Sequence, residues 1–202
     1  MLRESDTDWY RVCFREGGVM QFVPDLQLGW LNGWVPLAFF YVLFGIFLLN
    51  CPKPIVKKLY SVKGWSKREY ILSAIGKPYS LACFALVIMS PMKIGAVVFW
   101  VGMMLYALGC IIMFIALFEY RETPADQPVR TGIYQYSRNP QWVGLALMFF
   151  GTAVACGNGL AVLLFLGGVG FYHFRILGEE KACLAAYGKP YQDYLNTVHR
   201  YF

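Results

Sequence analysis

Long apolar runs separated by basic segments are the feature that most constrains this chain. Residues 29–49 form the first run, which would extend about 31 Å as a helix at about 1.5 Å per residue. That length crosses the hydrocarbon core of a bilayer, and residues 94–118 form an even clearer run. The chain is 58% apolar and only 15% charged, which argues against a soluble or disordered chain. The pattern predicts an all-α, polytopic membrane helix bundle.

Three further runs bring the predicted number of transmembrane helices to about five. Residues 70–90 form a run interrupted by Lys77 and Pro78, so the helix either passes Lys77 or begins at Pro78. Residues 142–155 and 160–174 flank a Gly-Asn-Gly turn, which predicts a helical hairpin whose first arm is short for a crossing.

The basic residues predict the topology. Five predicted helices would put the first loop, the third loop and the C-terminal tail on one side of the membrane. These segments hold 14 of the 18 Lys and Arg residues, against four on the other side. Because Lys and Arg accumulate in cytoplasmic loops, we expect these three segments to face the cytoplasm. We divide the chain into a non-cytoplasmic or interfacial segment (1–28), three transmembrane helices (29–118) and a C-terminal region (119–202).

Composition also argues against several binding functions. No basic helix or aromatic-basic strand pattern indicates nucleic-acid binding, although the net charge is +6. No two of the six cysteines form a C-x-x-C pair, so we predict no metal site and interpret the cysteines as buried apolar residues. The first 28 residues lack the pattern of a cleavable signal peptide.

The hairpin brings two polar segments to the same side of the membrane. Arg138 and Asn139 precede its first arm, and Arg175, Glu179 and Glu180 follow its second. Arg175 and Glu179 are four residues apart, which places them on one helical face and allows an ion pair. The alternative interpretation is an interfacial arginine beside a solvated acidic pair.

The start of the hairpin is suited to an anion. Pro140 fits the first position of a helix and Asn139 fits its N-cap, so free backbone N–H groups would lie beside Arg138. Tyr134 and Trp142 are either interface anchors or an aromatic wall for a flat ligand.

Residues 132–144 read G-I-Y-Q-Y-S-R-N-P-Q-W-V-G. This segment resembles the G-x-Y-x-x-x-R-H-P-x-Y-x-G motif of the isoprenylcysteine carboxyl methyltransferase and phospholipid methyltransferase superfamily. A second block is also similar, with R-x-x-x-E-E from Arg175, then Y-G, Y-x-x-Y and V-x-R-aromatic. The resemblance covers roughly the last 75 residues. Asn139 replaces the usual His, as it does in phosphatidylethanolamine methyltransferases, and Trp142 replaces the usual Tyr.

The resemblance implies an S-adenosylmethionine (SAM) pocket built by the hairpin, the third loop and the tail. Its implied cofactor-binding residues are Val129, Tyr134, Arg138, Asn139, Pro140, Trp142, Gly144, Glu179 and Glu180. Arg175 and Glu179 would be catalytic, and the acceptor would contact Arg175, Tyr191 and Arg200.

The implied reaction is the transfer of a methyl group to a lipid-like or prenylated acceptor in the plasma membrane or endoplasmic reticulum. A carboxylate or thiolate acceptor needs no general base, whereas an amine would have to lose a proton, for which Glu179 or Glu180 is the candidate. Two alternatives remain open: an NADPH-dependent enzyme similar to membrane sterol reductases, and a non-catalytic membrane protein. His173 and His199 are expected to be structural.

Overall fold

The computed structural model describes residues 20–61 and 65–202, and it is helical throughout this part of the chain apart from loops and two isolated β-bridges. Seven α-helices follow one another in these ranges: α1 (Trp34–Leu49), α2 (Lys53–Leu59), α3 (Lys67–Met89), α4 (Val97–Glu122), α5 (Pro140–Ala155), α6 (Gly159–Tyr187) and α7 (Lys189–Thr197). A 3-10 turn, Gly132–Gln135, lies between α4 and α5. The predicted all-α class is confirmed.

Three helices are long and apolar enough to cross a membrane, namely α3, α4 and α6, and α1 and α5 are shorter apolar helices. The chain is therefore a multi-pass membrane protein, because each of these long helices exposes apolar side chains that only lipid or another apolar phase would cover. The predicted segment 1–28 falls largely outside the described residues, and the division of the chain into three regions stays a prediction.

The structure decides one alternative about helix bounds and corrects one expectation. Of the two starts considered for the second apolar run, the first is confirmed: it is one continuous helix that passes Lys77 and Pro78, with Ser66 and Glu69 forming a capping box at its start. The second arm of the hairpin does not end near Phe174 but continues to Tyr187. The intervening polar residues are good helix formers, and the first break is Gly188, whose φ of 62° favours glycine.

Four of the helices form two closely packed pairs. α4 packs on α5, and α3 packs on α6. Glycines remove the side chains that would hold α4 and α5 apart: Gly109 faces the backbone of Gly144 and Met148, and Gly102 faces that of Gly151. Between the pairs, a shared core includes Phe40, Leu37, Leu117 and Met148, all almost fully buried.

The two ends of the bundle are formed by different segments of the chain. At one end, the segment from residue 20 to 33 is tied to the other turns, since the backbone N–H of Gln21 donates to Gly157 O and that of Met92 donates to Leu31 O. At the other end lie α2, the loop after α4, and α7. The three basic segments predicted to share one side of the membrane are therefore at one end of the molecule.

Replacing Gly109 by alanine tests the close packing of α4 on α5. The new Cβ would lie 2.5 Å from Met148 N and 2.6 Å from Gly144 O, so the helices must separate. We expect Gly109→Ala to lower the free energy of unfolding by about 1–3 kcal/mol in detergent, measured by thermal unfolding. Gly45→Ala is the matched control, because nothing lies within 4 Å of its Cβ position. Equal stability of the two variants would contradict this packing.

Candidate functional site

Segments distant in sequence meet where the hairpin opens. Lys58 of α2 donates from Nζ to Gln127 O (2.6 Å) in the loop after α4. From the same loop, Arg130 Nη1 donates to Pro190 O (3.3 Å) at the start of α7. These bonds enclose one end of the bundle with polar loops.

A cavity of about 610 Å³ lies at this end. Its volume is within the range of about 300–1,000 Å³ that small-molecule sites occupy. Its wall combines aromatic and charged side chains, including Trp65, Tyr120, Tyr134, Trp142, Tyr187, Tyr191, Lys57, Lys58, Arg138, Glu179 and Glu180. Flat apolar faces beside both signs of charge suit a ligand that has a ring system and charged groups.

Glu180 is the centre of a buried ionic cluster. Arg200 donates to its carboxylate from Nε and Nη2, at 3.1 and 2.8 Å. Arg138 Nε lies 3.3 Å from Glu180 Oε1 in an ion pair, and Asn139 Nδ2 donates to the same oxygen at 3.2 Å. The side chains of Glu180 and Arg138 are only 8% and 9% exposed. The hydrogen bonds to Glu180 raise the pKa of the Arg200 guanidinium, so Arg200 stays charged.

The same cluster fastens the C-terminal segment to the hairpin. The backbone N–H of Arg138 donates to His199 O (2.9 Å), and its Nη1 donates to Leu195 O (2.9 Å). Asn139 also donates to Arg200 O (3.2 Å). Asn139 occupies the N-cap position of α5 as predicted, but its side chain makes no cap hydrogen bond; its Nδ2 instead donates to Glu180 and to Arg200 O.

Glu179 has a different environment from its neighbour. It accepts hydrogen bonds from Trp142 Nε1 (2.9 Å) and from Arg175 Nε (3.1 Å), which confirms the predicted pair one helical turn apart. The Glu179 side chain is 30% exposed and lines the cavity. The Arg175 guanidinium lies over the rings of Trp142 and Trp65, with Cζ 5.1 and 5.4 Å from the ring centroids. Glu179 is therefore the carboxylate that remains accessible to a ligand.

Tyrosines form much of the remaining wall. Tyr187, Tyr191 and Tyr194 follow one another in ring contact across the break at Gly188. Tyr194 donates from its hydroxyl to Tyr134 O (2.7 Å). Burial raises the pKa of the Tyr134 and Tyr191 hydroxyls, so both remain neutral at physiological pH.

Most of the site residues predicted from the sequence line the cavity, and four do not. Those that line it are Val129, Tyr134, Arg138, Asn139, Trp142, Glu179, Glu180 and Tyr191. Pro140 is the buried first residue of α5, and Gly144 faces α4, where a Cβ would lie 2.7 Å from Met113 N. Arg175 and Arg200 form ion pairs with Glu179 and Glu180, respectively, and these two glutamates line the cavity.

Sequence reasoning missed several wall residues, among them Lys58, Trp65 and Tyr120. The Lys58 ammonium lies 5.2 Å from the ring centroid of Tyr120, and burial lowers the pKa of Lys58. None of these three residues belongs to a motif. The sequence shows only that Lys58 and Trp65 lie in a basic loop and that Tyr120 follows the end of an apolar run. Of the two lone histidines, His173 shares a 2.8 Å hydrogen bond between Nδ1 and the Tyr201 hydroxyl. No metal-binding group of His, Cys, Asp or Glu occurs among the described residues.

Part of the cavity wall lies in a segment that is similar to known proteins. A family model described as "Phospholipid methyltransferase" matches residues 97–190. A protein-S-isoprenylcysteine O-methyltransferase of Schizosaccharomyces pombe is 37% identical over 71 residues, which are 35% of this chain and 30% of that protein. The enzyme of the same name from Dictyostelium discoideum is 30% identical over 110 residues, 49% of this chain and 46% of its own length. The chain thus matches less than half the length of each relative. No solved structure matches significantly.

Replacing Glu180 by glutamine tests the ionic cluster. Glu180→Gln keeps the shape of the side chain but leaves Arg138 as a buried cation without a carboxylate. We expect a loss of about 3–5 kcal/mol in the free energy of unfolding, measured by thermal unfolding in detergent. Glu122→Gln is the control, because Glu122 pairs with Arg121 at the surface, where such a pair contributes about 0–1 kcal/mol. A similar, small effect of both substitutions would show that Glu180 does not hold the cluster.

Proposed function

We propose that this chain is a membrane methyltransferase of the isoprenylcysteine carboxyl methyltransferase and phospholipid methyltransferase superfamily, and that it uses SAM and a lipid-like acceptor. The similarity to the phospholipid methyltransferase family over residues 97–190 and to two isoprenylcysteine methyltransferases supports this proposal. The observation that carries this proposal is the cavity at the open end of the hairpin, where an accessible carboxylate, Glu179, lies beside aromatic rings. The acceptor is a prenylated cysteine carboxylate, a phospholipid amine or a similar group attached to a membrane anchor.

The donor groups of the cavity fit the proposed cofactor. Glu179 is suited to an ammonium group or to ribose hydroxyls, since a carboxylate accepts hydrogen bonds from both. Arg138 lines the cavity beside its ion pair with Glu180, and its guanidinium is suited to a carboxylate, which such a cation binds through charge-assisted hydrogen bonds. Tyr134 and Tyr191 supply ring faces for a planar base.

When bound, SAM supplies a methyl group on a positively charged sulfur. The task of the protein is to align the acceptor and exclude water, since methyl transfer is an in-line displacement. Arg175 is suited to orient an anionic acceptor, because its guanidinium is held flat on Trp142 and bound to Glu179. For an amine acceptor, Glu179 is a better base than Glu180, whose carboxylate is already shared by two arginines.

A ligand-binding measurement tests the proposed cofactor site. The purified protein in detergent is expected to bind S-adenosylhomocysteine, the demethylated product, in a calorimetric titration. Glu179→Gln is expected to weaken this binding by about 1.5–3 kcal/mol, the range for hydrogen bonds to charged groups. Asp193→Asn, a change at an exposed position of α7, serves as the control. Binding of NADPH in place of S-adenosylhomocysteine would favour a reductase, and binding of neither would favour a non-catalytic protein.

We further propose five membrane-crossing helices, α1 and α3 to α6, with the cavity facing the cytoplasm of a plasma membrane or endoplasmic reticulum membrane. The supporting observation is the excess of Lys and Arg at the cavity end of the bundle.

Labelling of single introduced cysteines tests this orientation. Asp25 and Asn196 are exposed at opposite ends of the bundle. For a plasma membrane location, an impermeant maleimide added to intact cells is expected to label Asp25→Cys, and to label Asn196→Cys only after permeabilisation. The chain without introduced cysteines measures the background of its six native thiols. Labelling of Asn196→Cys in intact cells would reverse the orientation.

A further inference from the structure

Trp65 lies on the cavity wall although it is remote from every motif of the chain. It directly precedes Ser66, the N-cap of α3, and lies outside the segment matched by the family model. The capping box fixes this entry, because Ser66 N donates to Glu69 Oε2 at 2.8 Å. Glu69 in turn forms an ion pair with Lys181 of α6, the residue after Glu180. The start of α3 is therefore fastened to α6 beside the ionic cluster.

The face of the Trp65 indole contacts Arg175. The Arg175 Cζ lies 5.4 Å from the Trp65 ring centroid and 5.1 Å from that of Trp142, while its Nε donates to Glu179. A guanidinium attracted to two ring faces and bonded at Nε has little rotational freedom. Its orientation consequently depends on Trp65 as well as on the residues of the hairpin.

The edge of the same indole carries an unused donor. Trp65 Nε1 is buried and has no hydrogen-bond partner among residues 20–61 and 65–202, and Trp65 lines the cavity. An indole N–H can only donate, and buried donors in folded proteins almost always have an acceptor. An oxygen of a bound molecule would satisfy this donor, and an anionic oxygen would also be attracted to the neighbouring Arg175.

We propose that Trp65 is a positioning and binding residue of this site: its ring orients Arg175, and its Nε1–H donates to a carboxylate of the molecule in the cavity. This inference rests on the proposed function and deepens it. The carboxylate belongs either to the cofactor or to the acceptor, and the two sources can be separated experimentally.

Two variants separate the roles of the ring and the N–H group. Trp65→Phe keeps an aromatic face but removes the donor, whereas Trp65→Ala removes both. Phenylglyoxal, which modifies accessible arginines, reports on Arg175 through peptide mass analysis, without any ligand or activity. We expect faster modification of Arg175 in Trp65→Ala and an unchanged rate in Trp65→Phe. An unchanged rate in Trp65→Ala would overturn the positioning role. Trp30→Phe is the control, because Trp30 is 83% exposed.

Matched pairs of probes test the donor. The first pair is S-adenosylhomocysteine and methylthioadenosine, which lacks the amino-acid carboxylate. The second pair is N-acetyl-S-farnesylcysteine and its carboxamide, titrated into protein saturated with S-adenosylhomocysteine. We expect Trp65→Phe to weaken binding of the carboxylate-bearing member of one pair about ten-fold or more, and to leave its neutral partner unchanged.

The pair that responds identifies the source of the carboxylate. An equal effect on both members of each pair, or no effect on any probe, would overturn the donor role. If the wild-type protein binds no S-adenosylhomocysteine, the proposed function fails, while the phenylglyoxal comparison still decides whether Trp65 positions Arg175.

Discussion

The site depends on the ion pairs that the buried carboxylate of Glu180 forms. Arg138 precedes α5, Glu180 lies in α6, and Arg200 lies in the C-terminal segment, so one carboxylate joins three parts of the chain. Two arginines around one carboxylate would leave an unbalanced buried cation if Glu180 were lost, which is far more costly than the loss of a surface pair. The ion pairs of Glu180 with Arg138 and Arg200 thus hold the open end of the hairpin and the C-terminal segment together. They therefore help to determine the shape of the cavity between these two parts.

The two adjacent glutamates have different environments. Consecutive residues of an α-helix point about 100° apart, so Glu179 and Glu180 cannot face the same neighbours. Glu180 faces the C-terminal segment and is saturated by Arg138 and Arg200, whereas Glu179 faces Trp142 and the cavity. An E-E pair at a helix end can therefore supply one carboxylate that holds the fold and one that meets a ligand.

Sequence reasoning succeeded where a local rule determines the structure. Apolar length located the crossing helices, four-residue spacing located the Arg175–Glu179 pair, and Pro140 marked the start of α5. It could not find Trp65, because the approach of this residue to Arg175 depends on how α3 packs on α6. It also could not separate two uses of a motif glycine: Gly144 lies in the helix interface, and no local pattern distinguishes that position from a ligand contact.

The unequal arms of the hairpin explain why the cluster forms where it does. α5 has 16 residues and α6 has 29, so the arms are about 24 and 44 Å long. Because the arms are antiparallel and joined at residues 156–158, Pro140 lies level with about Phe174, where the apolar run of α6 ends. The rest of α6 projects roughly 20 Å past the start of α5. The first turns of this projecting part carry Arg175, Glu179 and Glu180 beside the N-terminus of α5. In its last turn, the Tyr187 ring lies 5.5 Å from Lys58 Nζ. A cavity that combines aromatic and charged side chains thus forms at the boundary of the apolar bundle, where the head group of the proposed membrane-anchored acceptor would reach it.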